Sequence, residues 1–229
     1  MSPIETRSRQ ERAERTRSRI IDTAARAFAE GGFDGVSLND LVLASGMSKG
    51  AFYFHFSSKE EVALAAFRAK QQELIGRLLA DEERGASATD ELRSVLRRRA
   101  RLIVEDPTMH CVVRLGADLS VRSGPGSEYA SFQKLAEQSI AELVGRGVRS
   151  GEFGAQVDPE TVARAIFAWI VGMDSLSLLD SNGKDLEERT EEVLALLIPA
   201  LTVQQAPNPR PERPRAASGK RTVTRARKR

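Results

Sequence analysis

The sequence predicts an all-α protein of about nine helices. It has 229 residues, which is long enough for one or two domains with a substantial apolar core. Aromatic residues make up only 5% of the chain, whereas alanine, leucine, arginine and glutamate are plentiful, and this mixture favours helices over strands. Apolar residues recur at helical spacing along most of the chain. No segment alternates convincingly as a strand would, and no internal repeat is visible.

Four helices are predicted in the N-terminal third. The first covers 17–30, where apolar residues have helical spacing, and Gly31 and Gly32 end it. Each of the next three follows a serine that can cap it. The first and last of these serines are also followed, three residues later, by an acidic residue, which completes a capping box. The serines are Ser37, Ser48 and Ser58, and the predicted spans are 38–45, from 49 onward, and 59–84.

Five more helices are predicted in the remainder of the chain. Pro107 and Pro159 stand where helices commonly begin, and residues 123–127 (SGPGS) form a loop. The predicted spans are 90–105, 108–122, 128–150, 159–179 and 185–202. Beyond residue 206 the chain is rich in proline, arginine and lysine with almost no apolar residues, so we expect disorder there.

Several classes of protein are disfavoured by composition. No apolar run is expected to approach the roughly 18–20 residues that span a bilayer. The arginine-rich N-terminus also lacks the apolar stretch of a secretory signal. The single cysteine, Cys111, excludes an intramolecular disulfide and a multi-cysteine metal site. We therefore expect a cytoplasmic protein with no membrane partner, no cofactor and no metal.

Charge is unevenly distributed around a net value of +3. Residues 1–19 carry six arginines against three glutamates, and the tail 206–229 carries nine basic residues against one glutamate. Residues 60–205 have a net charge of −7. Basic ends around an acidic middle predict that the ends meet a polyanion such as nucleic acid. For the tail alone, a solvated surface explains the charge equally well.

Residues 37–56 (SLNDLVLASGMSKGAFYFHF) have the pattern of a helix-turn-helix. Two short helices joined by a tight turn containing glycine form a compact unit whose second helix can enter a major groove. Residues expected to pack the unit are Leu38, Leu41, Val42, Met47 and Phe52, with Phe54 and Phe56 at least partly in the core. An ordinary packing unit of helices can have the same spacing, so spacing alone leaves both interpretations open.

The residues left facing outward suit contact with DNA. Lys49 can donate to guanine O6 and N7, and Ala51 can lie against a thymine methyl group. Gly50 lets the backbone come close to the DNA. Tyr53, His55 and Lys59 suit phosphate oxygens, which fix the register without reading sequence, and the capped helix starts also favour phosphate.

Residues 9–67, and above all GFDGVSLNDLVLASGMSKGAFYFHFSSKEEV, resemble the DNA-binding domain of TetR-family transcriptional regulators. The resemblance implies a nine-helix subunit, a homodimer and a palindromic operator. It divides the chain into an N-terminal arm and DNA-binding domain (1–58), a ligand-binding and dimerisation domain (59–205) and the basic tail (206–229). Carried over residue by residue, the DNA contacts of the family fall on Ser37, Asn39, Ser48, Lys49, Gly50, Ala51, Tyr53, His55 and Lys59.

The two last predicted helices each have an apolar face, and the resemblance implies that they form a four-helix interface between two subunits. The alternative is that both faces are simply core. The interface candidates are Val162, Ile166, Ile170, Val193, Leu194, Leu197 and Leu201, with Trp169 and Met173 on the same face. The resemblance also implies that the helix from residue 59 swings when a ligand binds and so changes the spacing of the two recognition helices.

A ligand pocket is expected to be mostly apolar with a few polar groups. The candidates are His110, Cys111, Arg114, Phe132, Leu135, Trp169 and Met173. Cys111 is more often a small buried apolar residue than a redox sensor. The His110–Cys111 pair alone is weak support for a metal site. Trp169 is more often core than a ligand platform.

Within the family, KGAFYFHFSSKEEVA and VVRLGADLS resemble the γ-butyrolactone receptors, which sense small lipid-like signals and repress genes of secondary metabolism. Phe132 stands where those receptors are expected to carry a tryptophan. The change keeps an aromatic wall but removes the indole N–H donor. The effector is therefore open between a related signal, an antibiotic intermediate and no ligand.

The function predicted is a ligand-responsive repressor, and two other classes compete with it. An enzyme is disfavoured because no HExxH, GxSxG, P-loop or GxGxxG motif is present. An architectural DNA-binding protein without a ligand would have a filled regulatory core and little sequence preference. The target genes and the sign of regulation, repression or activation, are also open, and a repressor of an efflux or antibiotic-resistance gene fits equally. The basic tail is expected to add nonspecific phosphate attraction and salt sensitivity.

Overall fold

The computed structural model describes residues 3–80, 87–122 and 127–202, leaving aside the side chains of 3–9 and 120–121. Its described residues form nine α-helices, one short 3-10 helix and no strand, which confirms the predicted all-α class. The helices are α1 (Pro3–Gly31), α2 (Leu38–Ser45), α3 (Lys49–His55), α4 (Lys59–Leu79), α5 (Ala88–Glu105), α6 (His110–Arg122), α7 (Glu128–Ser150), α8 (Pro159–Ser181) and α9 (Leu186–Thr202), with the 3-10 helix (Pro107–Met109) before α6.

The first helix is much longer than predicted. α1 begins at Pro3 rather than at residue 17. The prediction missed its first half because that part consists of charged and polar helix formers and has no apolar stripe. Gln10 donates to Glu14 one turn later (Nε2–Oε1 3.2 Å), a local contact of the kind that supports a helix without burial. Residues 81–84 of the predicted fourth helix and the predicted disordered tail 206–229 lie outside the described residues.

The serine caps lie where the sequence predicts them. The hydroxyls of Ser37, Ser48 and Ser58 each accept a hydrogen bond from the amide three residues later. The capping box of α2 is complete, since the Asp40 carboxylate accepts from the Ser37 amide (2.9 Å). At α4 the Glu61 carboxylate accepts from the amide of Ser57 rather than from that of Ser58 (2.9 Å).

One apolar core joins the two predicted domains. α1 packs along α4 and α6, and the same cluster of buried side chains contains Phe28, Phe52 and Phe56 together with Val112 and Leu115 of α6. The predicted boundary at residue 58 is therefore the start of a helix and not a gap in the packing. Two further clusters lie among α5, α7, α8 and α9 and around the α4–α5–α6 contact.

The expectation that no apolar segment approaches the length of a membrane span is wrong. α8 (Pro159–Ser181) is long and apolar enough by length and composition, although a helix of a globular core passes the same test. It packs along α7, and its buried Asp174 pairs with Arg99 of α5. Only 22% of its apolar stretch is buried within the subunit, so much of its surface remains to be covered.

Candidate DNA-binding surface and effector cavity

α2 and α3 form the helix-turn-helix on one side of the first core. They are joined at Gly46, whose φ of 66° is left-handed and suits a residue without a side chain. Leu41 and Val42 of α2 and Phe52 of α3 are buried, and Phe52 packs against Phe56. One face of each helix is thereby fixed to the core, and the other is held towards solvent.

The outer face of α3 is the surface predicted to read DNA. Ser48, Lys49, Gly50, Ala51 and Tyr53 are all exposed. A Cβ built on Gly50 would meet nothing within 4 Å, so another backbone can approach closely there. A cation, a phenol and small residues on one exposed helical face are compatible with entry into a major groove.

Three other predicted contact residues surround that face. Ser37 caps α2, and its hydroxyl and amide are both hydrogen-bonded to Asp40. Asn39 is exposed in the first turn of α2. His55 is half-buried and lies edge-on to Phe54, with ring centroids 5.1 Å apart. Of the three, Asn39 is the side chain left free to reach a ligand.

Two expectations for this segment are corrected. Lys59 Nζ donates to the carbonyl oxygen of Phe33 (3.0 Å) and lies 4.1 Å from the centroid of its ring, so this ammonium is an internal contact rather than a free phosphate ligand. Phe54 is not in the core, because 80% of it is exposed. The helical period explains this: Phe52 and Phe56 are one turn apart on the buried face, and Phe54 falls between them on the opposite face.

Exposed arginines lie along α1, and one of them borders the helix-turn-helix. The guanidinium of Arg17 lies 4.8 Å from the centroid of the Phe56 ring, next to α3 and the start of α4. The described arginines of α1 are all exposed, and they are Arg12, Arg15, Arg17, Arg19 and Arg26. α1 therefore offers several cations to a polyanion, and of these Arg17 is placed next to the helix-turn-helix.

A cavity of about 580 Å³ lies among α4, α5, α6, α7 and α8. The volume is typical of sites for small organic ligands. Most of its wall is apolar, and an aromatic cluster of Phe67, Tyr129, Phe132 and Phe167 stands at one part of it, with successive ring centroids 5.8–6.5 Å apart. The regulatory half of the chain thus contains a built space and not a filled core.

Two of the seven predicted pocket residues, Phe132 and Leu135, line the cavity. Cys111 does not, because it belongs to the core that joins α1, α4 and α6, where burial raises the pKa of its thiol to about 12. His110 is also buried elsewhere, and desolvation lowers its pKa. A Cβ added to Gly183 would meet His110 Nε2 at 2.8 Å, which places this imidazole against the α8–α9 turn.

The remaining three candidates also lie away from the cavity wall. Arg114 and Met173 are half-buried, and Met173 packs against the core around α4, α5 and α6. Trp169 is 40% exposed on the surface of α8. α6 instead turns Val112, Val113 and Gly116 towards the cavity, so the prediction found the right helix but the wrong face.

Sequence reasoning missed the polar residues of the cavity. Arg99 of α5 donates to both carboxylate oxygens of Asp174 of α8, including Nη1 to Oδ1 at 2.9 Å, and both side chains are largely buried. Gln71 of α4 is buried in the wall, and its amide nitrogen has no hydrogen-bond partner among the described residues. No cluster of three or more histidine, cysteine or acidic side chains suited to a metal occurs within the described ranges.

Comparison with known proteins identifies the family of the DNA-binding domain. Residues 20–66 match the model of bacterial regulatory proteins of the tetR family, and this segment forms the C-terminal part of α1, all of α2 and α3, and the start of α4. The DNA-binding domain of this chain is that of the tetR family of bacterial regulatory proteins. The prediction that the chain is not an enzyme is confirmed, since the relatives are transcriptional regulators.

Two curated relatives match well beyond the DNA-binding domain. The fatty acid metabolism regulator protein of Bacillus subtilis (strain 168) is 24% identical over 182 residues, covering 78% of this chain and 92% of the relative. The A-factor receptor protein of Streptomyces griseus is 25% identical over 194 residues, covering 85% of this chain and 66% of the receptor.

Solved structures of similar fold also match beyond the DNA-binding domain. One from a study of the control of antibiotic production by bacterial hormones superposes with a TM-score of 0.70 at 27% identity, covering 82% of this chain and 98% of that one. A γ-butyrolactone receptor (ArpA-like protein) superposes with a TM-score of 0.59 at 25% identity, covering 80% and 98%. The similarity to the γ-butyrolactone receptor branch therefore extends to the regulatory half.

The predicted interface residues lie mostly inside the subunit. Four are buried in the core of α5, α7, α8 and α9, and Val162 and Ile170 pack against that core. The four are Ile166, Leu194, Leu197 and Leu201. Val193 is half-buried. The exposed apolar side chains of α8 and α9 are on the neighbouring face, namely Trp169, Leu176, Leu179 and Leu196.

A contact that we call the Phe33 clamp links the TetR-family DNA-binding domain to the cavity. The buried Phe33 ring lies against Lys59 and against the Arg122 guanidinium, whose carbon is 4.8 Å from its centroid. The Phe33 amide donates to Asp118 Oδ2 (3.0 Å), and Arg122 pairs with Asp34 (2.6 Å). Asp118 and Arg122 are on α6, the helix whose other face lines the cavity.

Proposed function

We propose that this regulator is a repressor that binds a palindromic operator as a homodimer and is released when a small, mostly apolar effector enters the cavity. The observation that carries the proposal is the cavity of about 580 Å³ whose α6 wall also holds the Phe33 clamp. An architectural DNA-binding protein has no need of such a space, and a filled regulatory core would be expected for it.

DNA recognition is assigned to the exposed face of α3. Lys49 reads a base edge, Ala51 and Gly50 allow close approach, and Tyr53 contacts a phosphate. The exposed arginines of α1 add attraction for the backbone without sequence preference. Lys59 contributes through the clamp and not through a direct phosphate contact, because its ammonium is already bound to Phe33.

Dimerisation is assigned to the exposed apolar face of α8 and α9. Trp169, Leu176 and Leu179 follow one another at intervals of seven and three residues, so they form a stripe along α8. Leu196 adds an exposed apolar side chain on α9. Contiguous exposed apolar surface of this kind is typical of subunit interfaces. We therefore propose that the exposed apolar face of α8 packs against a second subunit rather than against a membrane. We also place the regulator in the cytoplasm with its DNA.

Effector control is assigned to α6. A ligand wedged among Val112, Val113 and Gly116 favours a different position of this helix. Asp118 and Arg122 move with it, and through the clamp they carry the end of α1. Since the two recognition helices of a dimer have to match half-sites about 34–36 Å apart, a small rotation of each domain weakens binding. The effector then shifts the population towards release.

The γ-butyrolactone receptors are the best guide to the effector class. Phe132 retains an aromatic wall in the cluster with Phe67, Tyr129 and Phe167. The apolar lining suits a small lipid-like signal of the kind those receptors bind.

Selection of bound DNA from a random pool tests the proposal. Wild-type protein should enrich one palindrome, and a Lys49→Ala, Tyr53→Ala double variant should not. A Lys184→Ala variant, changed at an exposed position in the turn between α8 and α9, is the control and should enrich the same palindrome. If no motif emerges and all three proteins bind alike, α3 is not the reader and the architectural interpretation replaces this one.

A further inference from the structure

The polar groups around the cavity differ in whether they already have a hydrogen-bond or ion-pair partner within the protein. Arg99 and Asp174 neutralise one another, and so do Glu91 and Arg146. The hydroxyls of Ser139 and Ser175 donate to carbonyl oxygens of their own helices, at 3.1 Å and 2.8 Å. These groups leave no uncompensated charge in the buried part of the wall. Glu142, the remaining charged lining residue, is exposed to solvent.

Gln71 is the exception. It is only 8% exposed, it lines the cavity from α4 between Phe67 and Leu74, and its Nε2 makes no hydrogen bond within the described part of the chain. A buried amide donor without an acceptor is unfavourable for the free protein, so its presence in a mostly apolar wall calls for a partner. The group that can supply the acceptor is a molecule in the cavity.

We infer that the effector is an uncharged, largely apolar molecule carrying a carbonyl oxygen, to which Gln71 Nε2 donates. This assignment rests on the proposed function, since it concerns the same cavity. A carboxylate is disfavoured because Arg99 is already bound to Asp174 through both of its terminal nitrogens. An ammonium ion is disfavoured because Asp174 is in turn bound to Arg99. The apolar remainder of the wall selects the body of the molecule.

Three probes of similar size separate these features. γ-Decalactone carries a hexyl chain and a ring carbonyl, 2-hexyltetrahydrofuran has the same chain and ring without the carbonyl, and decanoate carries a charge. Binding is measured by isothermal titration calorimetry on the full chain without DNA. The variants are Gln71→Met, which has similar length and no N–H, and Gln72→Met, the exposed neighbour on the same helix, as control.

Wild type and Gln72→Met should bind the lactone equally, and Gln71→Met should bind it about tenfold more weakly, the loss expected for one hydrogen bond. The ether should bind both proteins alike and about as weakly as the lactone binds Gln71→Met. Decanoate should bind least. The inference is overturned if the lactone does not bind, if it binds Gln71→Met as tightly as wild type, or if decanoate binds best.

A second readout needs no ligand. If Nε2 is unpartnered in the free protein, Gln71→Met should raise the melting temperature, whereas Gln72→Met should leave it unchanged. A lower melting temperature for Gln71→Met would mean that the amide already has a stabilising partner, and the inference would fail. The two proposals fail separately: a lactone that binds through Gln71 without releasing DNA contradicts the proposed function, and release that is insensitive to Gln71 contradicts this inference.

Discussion

We predict that the Phe33 clamp couples the cavity to the operator, and that this coupling can be lost while the effector still binds. Asp118→Ala removes the acceptor of the Phe33 amide (3.0 Å) and leaves that N–H without a partner in a buried position. The expected loss is about 1–3 kcal/mol in the free energy of unfolding. For a chain of this size that loss corresponds to a fall of about 2–12 °C in melting temperature.

The same change should weaken the link between cavity and operator. Allosteric coupling typically changes affinity by about 5–150-fold, and Asp118→Ala should bring this factor close to one while the effector still binds. The matched control is Asp34→Ala in the same contact. Asp34 is 74% exposed and its ion pair with Arg122 lies in solvent, so the expected cost is about 0–1 kcal/mol.

The assay combines two titrations on each protein. Calorimetry gives the affinity for γ-decalactone, and fluorescence anisotropy of a labelled operator gives the dissociation constant for DNA with and without saturating lactone. Asp118→Ala should bind lactone like wild type but release little DNA, and Asp34→Ala should behave like wild type in both. Full release by Asp118→Ala, or an equal reduction of release in the two variants, would refute the role of the clamp.

Three further predictions concern other parts of the chain. Cys111 should resist alkylation in the folded protein at neutral pH and react on unfolding, because burial raises the pKa of its thiol to about 12; rapid modification of native protein would contradict this. Gly183→Ala should lower the free energy of unfolding, measured in urea, by more than Gly151→Ala does. Both glycines have a left-handed φ, but only at Gly183 would the new Cβ also meet the side chain of His110. Equal losses of about 1–2 kcal/mol in the two variants would show that this steric contact costs nothing. Replacing Arg12, Arg15 and Arg19, three exposed arginines of α1, by alanine should flatten the slope of log operator affinity against log salt concentration. The expected change is up to about 0.9 for each DNA phosphate that the protein no longer neutralises, and deleting 206–229 should flatten the slope further. A slope that stays unchanged in either variant would mean that the altered segment does not contact DNA.

The helix-turn-helix could be predicted from sequence because its signals are local. The caps at Ser37 and Ser48 fix where α2 and α3 begin, and Gly46 marks the turn between them. Each signal acts over three or four residues, so one sequence suffices to find it. Phe54 is the exception, because its aromatic character predicts burial whereas its phase on the helix places it in solvent.

The cavity and the proposed dimer face could not be predicted in the same way. Arg99 and Asp174 are 75 residues apart, and nothing near either residue indicates that they meet. On α8, Ile166 and Trp169 belong to one apolar stretch, yet the first is buried within the subunit and the second is exposed. A helix that is apolar nearly all round carries no local signal for which side meets its own subunit. That choice depends on long-range packing.

The most direct test of ligand-controlled DNA binding compares wild type with a variant whose cavity is filled. Ala136 lines the cavity from α7, and Ala136→Trp would occupy part of the space. The operator obtained by selection is titrated by anisotropy at one salt concentration, without and with γ-decalactone at a level that saturates wild type in calorimetry. We predict that lactone weakens operator binding by wild type at least about fivefold and leaves the variant, which still binds the operator, unaffected. Unchanged operator affinity of saturated wild type, or equal release of both proteins, would contradict the account.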